Sequence, residues 1–584
     1  MAQAMSTLSK TLSIRFYNSV QAAQSWALES LWPLLTVSFV LIFIGIGLRD
    51  PWPADEPRFA LIAKEMVETG QWFFPARAQE LYPDKPPIFM WAIALFYYLS
   101  GSIRFSFLMP SALAGLLTIF LVYDIGRLLW DKKVGLVAGW LLLFCLQFLV
   151  QAKSAQIDAL VCAWITLGCY GLLRYTLVDG KYRWYACAWF FMGIGVITKG
   201  VGFLPLLMLI PYVVYRLLNK AAVSPVRYAG WTWYLGPLIM LGAIALWFVP
   251  MLIIVAQSDS AAYELYRDNI LLKQTVTRYA DSWHHIKPFW YYLTSVAPFF
   301  WLPAVLCIPW LFKPWMKDIK LLEARILLPL AWVALVLLFF SMSPGKRGVY
   351  IFPALPMLAL AIAPYYSLLA KKKPLKNLIF GIVLVLSIII LSAGILASNG
   401  LEALSKQAVK LEISPWGFFM SVGLVSLLAL LVFAWRHRWL AWPVFSIVIW
   451  SLYSTYGYSL RNNVSTPIAV FERATPYLKA NSEIALVKFS EQFILFSPYA
   501  MHHFGYHTLL EQQLAGAYAW LHGDNRHLII EDEKLDSACF DEAKAVDLGF
   551  AHRRHWLLVS ASAKRESCEL SALNVKMYYY KRRD

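Results

Sequence analysis

Long apolar runs recur along most of this 584-residue chain, and they restrict what it can fold into. A run of about 18 or more apolar residues is long enough to cross the hydrocarbon core of a bilayer as a helix. In lipid such a segment must satisfy its own backbone hydrogen bonds, and a helix does this internally. The short alternating segments of a transmembrane barrel are missing from the pattern. Hydrophobic residues make up 59% of the chain and charged residues 15%, where an ordinary soluble protein carries about 25% charge. The chain reads as an α-helical polytopic membrane protein.

The runs predict about thirteen spanning helices, at 31–48, 105–127, 134–150, 157–174, 184–198, 202–217, 232–255, 289–311, 325–342, 349–369, 377–397, 415–434 and 440–459. Basic residues cluster in alternate loops: Arg127/Lys132/Lys133, Arg174/Lys181/Arg183, Arg216/Lys220/Arg227, Lys313/Lys317/Lys320, Lys371/Lys372/Lys373/Lys376 and Arg436/Arg438. The positive-inside tendency puts these loops, and the N-terminus, in the cytoplasm. It also accounts for much of the net charge of +17 without nucleic acid, for which no recognition motif is present. No short apolar core precedes a small-residue cleavage site, so the first helix is expected to remain as an anchor.

From about 464 the character changes. The segments 484–487, 493–496, 527–530, 556–559 and 577–580 read as short strands with helical stretches between some of them. This predicts a membrane domain over 1–463 and a soluble α/β domain over 464–584. On the assigned topology that domain is extracytoplasmic, where Cys539 and Cys568 can pair; a disulfide and two free thiols both stay open. Cys145, Cys162, Cys169, Cys187 and Cys307 fall in or beside apolar runs and act as small hydrophobes.

The candidate chemistry gathers on the face away from the basic loops. The first loop, 49–104, holds Pro53-Ala54-Asp55-Glu56-Pro57-Arg58 and Tyr82-Pro83-Asp84-Lys85-Pro86-Pro87. Asp55 suits a helix N-cap, with Pro57 in the first turn and a stop at Gly70. It equally suits a carboxylate at a membrane-edge cavity, able to accept a proton or orient a nucleophile. Glu56 is expected in a supporting role, because adjacent helical positions do not share a face. Lys85 is either a solvated surface lysine or an anion ligand on a proline-stiffened segment, with Arg58 and Arg278 as partners. The helix from 57 to 70 and the stretch 86–100 are expected to lie along the membrane surface.

Further along, Asp158 opens the fourth helix, and Thr198-Lys199-Gly200 has the form of a helix end. A loop at 256–288 carries Arg278-Tyr279 and His284-His285, and its closing aromatics suit an interfacial belt. The paired histidines lack companions at metal-ligand spacing. Ser343-Pro344-Gly345-Lys346-Arg347-Gly348-Val349-Tyr350 adds two cations at a helix entry. No Walker loop, G-x-S-x-G or dinucleotide fingerprint with supporting context is present. A transporter would place its ionisable groups near the midplane on broken helices; here they crowd one face.

These motifs occur in one order: Asp-Glu-x-Arg at 55–58, Asp-Lys-Pro-Pro at 84–87, Asp158, Thr198-Lys199-Gly200, then Arg278-Tyr279 through His285 to Pro288-Phe289-Trp290-Tyr291-Tyr292, then Lys346-Arg347, Tyr350 and Pro353. Together they resemble polyprenyl-phosphate-dependent integral membrane glycosyltransferases of the GT-C class. Within that class the chain is most similar to the bacterial aminoarabinose transferase family, related to protein mannosyltransferases. The resemblance covers about residues 30–460. It implies a thirteen-helix fold with juxtamembrane helices in the first loop and a periplasmic C-terminal domain. It implies transfer of 4-amino-4-deoxy-L-arabinose from undecaprenyl phosphate to lipid A, at the periplasmic face of the bacterial inner membrane, by a monomer. It implies Asp55 as the key catalytic carboxylate with Asp158 as a second catalytic residue lining the same cavity, and Lys85, Arg278 and Arg58 toward the donor phosphate. Glu56, Tyr82, Asp84, Lys199, His285, Lys346, Arg347 and Tyr350 are then cavity-lining. Asp84 is a possible metal ligand, but Gln274-Thr275-Val276 stands where the family has a histidine, which argues against a metal. The Lys346–Tyr350 segment is closer to the broader class, which admits another sugar or an acceptor such as lipopolysaccharide core, O-antigen or a protein hydroxyl.

Overall fold

A computed structural model describes residues 26–219, 225–226, 230–271, 285–402, 405–406, 408, 411, 413–435, 437–535, 539–552, 554–565 and 575–581. Among these, seven helices are long and apolar enough to cross a membrane, or up to nine if each of two bent pairs is one span. Two of the thirteen expected spans appear as the shorter apolar helices Leu31–Phe43 and Leu204–Leu218. The first has 13 residues, a rise of about 20 Å against a hydrocarbon core of about 30 Å.

Two expected single spans are broken. Lys132–Leu143 and Leu146–Ala152 meet at 72°, and Tyr292–Phe300 and Ala304–Lys320 at 112°. The first break lies where Cys145 is extended; the second includes Pro303, which has no N–H to continue a ladder. The breaks face each other, and the Leu146 N–H donates to the Leu302 carbonyl at 3.1 Å. Each break thus helps satisfy a backbone group that the other has freed.

The first loop folds as the sequence suggests. A helix Glu56–Thr69 begins after Asp55 and ends at Gly70, whose φ of 74° is the left-handed conformation that glycine adopts without a Cβ clash. A small hairpin follows, β1 (Ala76–Arg77) with β2 (Glu80–Leu81), then a helix Ile88–Ser100. In the Glu56–Thr69 helix every residue from Phe59 to Met66 is buried. A helix buried all round is interior to a protein. It is covered by a C-terminal helix, Glu491–Phe496.

The C-terminal region builds a six-stranded mixed sheet from β3 (Glu483–Leu486), β4 (Met501–His503), β5 (Arg526–Glu531), β6 (Val546–Ala551), β7 (Arg554–Ser560) and β8 (Tyr578–Tyr580). The order is β6-β7-β5-β3-β4-β8, with β3 parallel to β4 and β5 and the other pairs antiparallel. Residues 493–496 are helical, a correction to the expected strand. A short apolar run carries no period that separates strand from helix, and Phe493 here packs on Trp556 at 4.2 Å. Alternation along the strands divides the sheet between two cores. Ala485, Leu528, Ile530, Leu557 and Val559 form one, while Ile484, Leu486, Ile529 and Leu558 join the core shared with the membrane helices. Cys539 is disulfide-bonded; the five cysteines of the apolar runs are free; Cys568 lies outside the described residues.

Candidate active site

The two adjacent acids of the first loop have opposite fates. Glu56 was expected to line the cavity, but it is buried and its carboxylate is fully engaged. Arg49 grips it through two nitrogens, at 2.5 and 2.6 Å, and the Trp52 and Ala155 N–H groups each donate to it at 2.9 Å. Arg49 also donates to the Lys153 carbonyl at 3.0 Å. Lys153 in turn caps the end of the Leu31–Phe43 helix through the carbonyls of Leu41, Ile42 and Ile44. One glutamate therefore fastens the first loop to the turn before the Ile157–Leu173 helix.

Asp55 sits at the N-terminus of its helix but makes no side-chain capping bond. Its carboxylate instead faces two arginines, Arg58 and Arg347, each at 3.5 Å. It is 22% exposed, so it is reachable from solvent yet held by cations and by the positive end of the helix.

Arg347 starts a short turn, Gly348–Ile351, that also holds Tyr350. Lys199 stands over the Tyr350 ring at 5.0 Å and makes a tight ion pair with Asp158. Asp158 follows Ala155, whose N–H holds Glu56. The connections close into a ring: Asp55, Arg347, Tyr350, Lys199, Asp158, Ala155, Glu56. Residues from four loops of the sequence are thus joined in one set of contacts.

Lys346 is buried rather than cavity-lining, with its ammonium donating to the carbonyls of Lys287, at 3.0 Å, and Ser343. His285 joins it through the backbone, its carbonyl accepting the Lys346 N–H at 2.9 Å. Both act as a clasp between the 285–288 and 343–348 segments. Tyr82 is buried beneath Arg58 and Arg77. Lys85 donates to the Asp84 carbonyl at 3.0 Å. Arg278 and its neighbours lie outside the described residues. Among the described residues no three His, Cys, Asp or Glu side chains gather as a metal-holding group, and Asp84 joins none.

Several important groups were invisible in the sequence. Glu491, from the C-terminal region, accepts from Arg58 Nε at 2.8 Å and from Arg77 Nη1 at 3.3 Å. Arg77 is 1% exposed and stacks over Tyr506 at 3.6 Å. His503 donates from Nε2 to the Ala78 carbonyl at 2.8 Å and accepts the Gly505 N–H on Nδ1. Burial pushes its pKa down to about 4. Glu65 holds the same hairpin from below, accepting the Gln79 N–H at 2.7 Å, and burial raises its pKa to about 7. Gln147, in the first turn of the Leu146–Ala152 helix, donates to the Gly348 carbonyl at 2.9 Å and accepts from Trp301 Nε1 at 2.7 Å.

The fold is that of a polytopic helical membrane protein of GT-C architecture, with this ring of charged groups joining four of its loops. Residues 84–253 match the family described as dolichyl-phosphate-mannose-protein mannosyltransferase. Among similar proteins, an undecaprenyl phosphate-alpha-4-amino-4-deoxy-L-arabinose arabinosyl transferase of Serratia proteamaculans is 28% identical over 396 residues, covering 64% of this chain and 66% of that protein. The Yersinia enterocolitica protein of the same name is 27% identical over 387 residues, covering 62% and 65%. The match thus spans just under two thirds of those relatives' length. The crystal structure of ArnT from Cupriavidus metallidurans bound to undecaprenyl phosphate superposes with a TM-score of 0.68 at 19% identity, covering 92% of this chain and 99% of that one. Its apo form gives 0.67 at 20% identity. This chain shares that fold, C-terminal region included.

Proposed function

We propose that this protein is an integral membrane glycosyltransferase that draws its sugar from a polyprenyl phosphate. The sugar is 4-amino-4-deoxy-L-arabinose, the carrier undecaprenyl phosphate and the acceptor lipid A. Transfer takes place on the periplasmic side of the inner membrane, with the N-terminus cytoplasmic and 464–584 a periplasmic domain. The observation that carries the reading is Asp55, a helix-terminal carboxylate that makes no capping bond and meets Arg58 and Arg347 instead. The activity for which the similar proteins are named supports the choice of sugar and carrier.

The reaction is a single displacement with inversion at the anomeric carbon. The bond from that carbon to the donor phosphate oxygen breaks, and the oxygen leaves with the electron pair as undecaprenyl phosphate. An acceptor oxygen forms the new bond. Lys85, Arg58 and Arg278 stabilise the charge developing on the leaving phosphate; one such preorganised group is worth about 10²–10³ in rate. A lipid A phosphate is already ionised, so with that acceptor Asp55 orients and stabilises the anomeric centre. With a hydroxyl acceptor, in lipopolysaccharide core, O-antigen or a protein, Asp55 takes the proton as general base.

Mass spectrometry of lipid A and of the other envelope glycans, from cells with and without the gene, tests both sugar and acceptor. An added aminopentose on lipid A supports the reading, and another sugar or acceptor redirects it. In purified enzyme reconstituted in lipid, Asp55→Asn is expected to lower turnover at least about a hundredfold; turnover close to wild type would sink the assignment.

A further inference from the structure

Two buried glutamine oxygens beside the ring of charged groups have no donor to accept from. Gln151 and Gln156 flank the turn that ends at Ala155, whose N–H holds Glu56. The Oε1 atoms of both are closed to solvent and have no hydrogen-bond partner among the described residues. Gln151 as a whole is 4% exposed. Local structure does not use Gln156 either: it is the N-cap of the Ile157–Leu173 helix, and its side chain makes no capping bond. A buried acceptor left without a donor is costly, and native structures keep few of them. Two of them in one short stretch, next to the candidate active site, mark a place where donors arrive from outside the chain.

Helix geometry aims the first of them. Gln147 and Gln151 stand at i and i+4 on the Leu146–Ala152 helix and so share a face. Gln147 donates to the Gly348 carbonyl, and its neighbour Phe148 meets the Phe352 ring at 6.1 Å. That face therefore looks onto the segment that carries Arg347 and Tyr350. Gln151 lies one helical turn, about 5.4 Å, nearer to the Ala155 corner of the ring. Gln156 stands at that corner, just before Asp158 and its ion pair with Lys199.

The chemistry of the two oxygens selects what they bind. An amide oxygen only accepts. An ammonium only donates, through three N–H groups, whereas a hydroxyl brings one O–H together with lone pairs that need donors of their own. The pentose proposed above carries one such amine, at C4, across the sugar ring from the anomeric carbon. Given that aminoarabinose transfer, on which this rests, we infer that Gln151 and Gln156 determine sugar specificity: their oxygens accept hydrogen bonds from the 4-amino group. Neither glutamine takes part in breaking or making the glycosidic bond.

Full-length protein reconstituted in lipid is given undecaprenyl phosphate carrying either 4-amino-4-deoxy-L-arabinose or L-arabinose, and kcat/KM is measured for each with lipid A as acceptor. The wild-type ratio is expected to favour the amine. Gln151→Leu and Gln156→Leu each lower that ratio about tenfold or more, because an acceptor for the amine is gone. Gln151→Glu keeps acceptor oxygens in place and retains most of the preference. The thermal midpoint of ligand-free Gln151→Leu is expected at or above that of wild type, since the change removes an acceptor that has no donor. An unchanged ratio in both leucine variants overturns the inference and leaves water as the partner of these oxygens. A lower midpoint together with equal losses for both sugars shows that the fold itself uses the amide, and overturns it too. Wild-type enzyme that transfers neither pentose overturns the function proposed above and this inference with it, whereas transfer of the aminopentose with an unchanged ratio in the variants overturns the inference alone.

Discussion

Replacing Glu491 by alanine removes one carboxylate from two arginines. Arg77 bears most of the cost. Its side chain is 1% exposed, and its Nε and Nη2 already lack a hydrogen-bond partner among the described residues. Without Glu491 it also loses the bond from Nη1 and keeps the rings of Tyr506, Tyr82 and Phe489 as its main contacts. Breaking a buried ion pair from one side costs about 3–5 kcal/mol, and the cation–π contacts, present before and after, cancel in the difference. Arg58 is one-fifth exposed, so water replaces its lost bond at a cost of about 1 kcal/mol or less. The sum is at least about 3 kcal/mol, or roughly a hundredfold or more in the equilibrium for opening the contact between hairpin and sheet. Hydrogen exchange measured by mass spectrometry reads this directly. Peptides covering β1, β2 and β4 are expected to lose about a hundredfold in protection, while those of the Met109–Leu129 helix keep theirs. Protection of the hairpin within about threefold of wild type refutes the reasoning, because Arg77 would then be stable without its anion.

Arg347→Ala takes from Asp55 one of its two cations, and it is expected to lower transfer by about tenfold to a hundredfold with the thermal midpoint near wild type; unchanged turnover separates Arg347 from the site. Gln147→Leu leaves both the Gly348 carbonyl and the Trp301 N–H without a buried partner, at about 1–3 kcal/mol each, so a lower midpoint and slower transfer are expected together. A normal midpoint would show that the 348 turn holds without it. Glu65 has its folded pKa raised from 4.5 to about 7. Its contribution is full below about pH 4.5 and is lost as pH rises through 7. His503 runs the other way, its stability lost as pH falls from 6.5 through about 4. The midpoint of Glu65→Gln relative to wild type is therefore expected to rise between pH 5 and 8, and a difference flat with pH contradicts the assignment.

What the sequence revealed was governed by distance along the chain. Local rules were enough for the Glu56–Thr69 helix, with its proline in the first turn and its terminal glycine, and for the strands at 484, 527, 556 and 578. Apolar length was enough for the long spans. It failed where a span breaks, because Cys145 carries no breaker signal and the freed N–H of Leu146 finds its acceptor on another helix. The separation of Asp55 from Glu56 was half legible: adjacent positions point apart, but nothing local names Arg49 and Ala155 as the partners of one and Arg347 as the partner of the other. Lys346 read as cavity-lining because it stands beside Arg347 at a helix entry, whereas the acceptors it uses are backbone carbonyls that leave no mark in a sequence. Glu491 was beyond reach, since its role exists only once the sheet has packed on the first loop.

That last contact also sets a timetable. Arg58 and Glu491 are 433 positions apart. At about 5–20 residues per second, a growing chain waits tens of seconds between making the arginine and making its anion. By then the membrane helices have been synthesised, and Arg77 has had no carboxylate to accompany it into the interior. The first loop can therefore take its final form only after the C-terminal sheet has been made and carried to the same side of the membrane. A chain cut short before that point has Asp55 and Arg58 but not the Glu491 junction that holds their loop, so completion of synthesis works as a check on which copies reach the final fold.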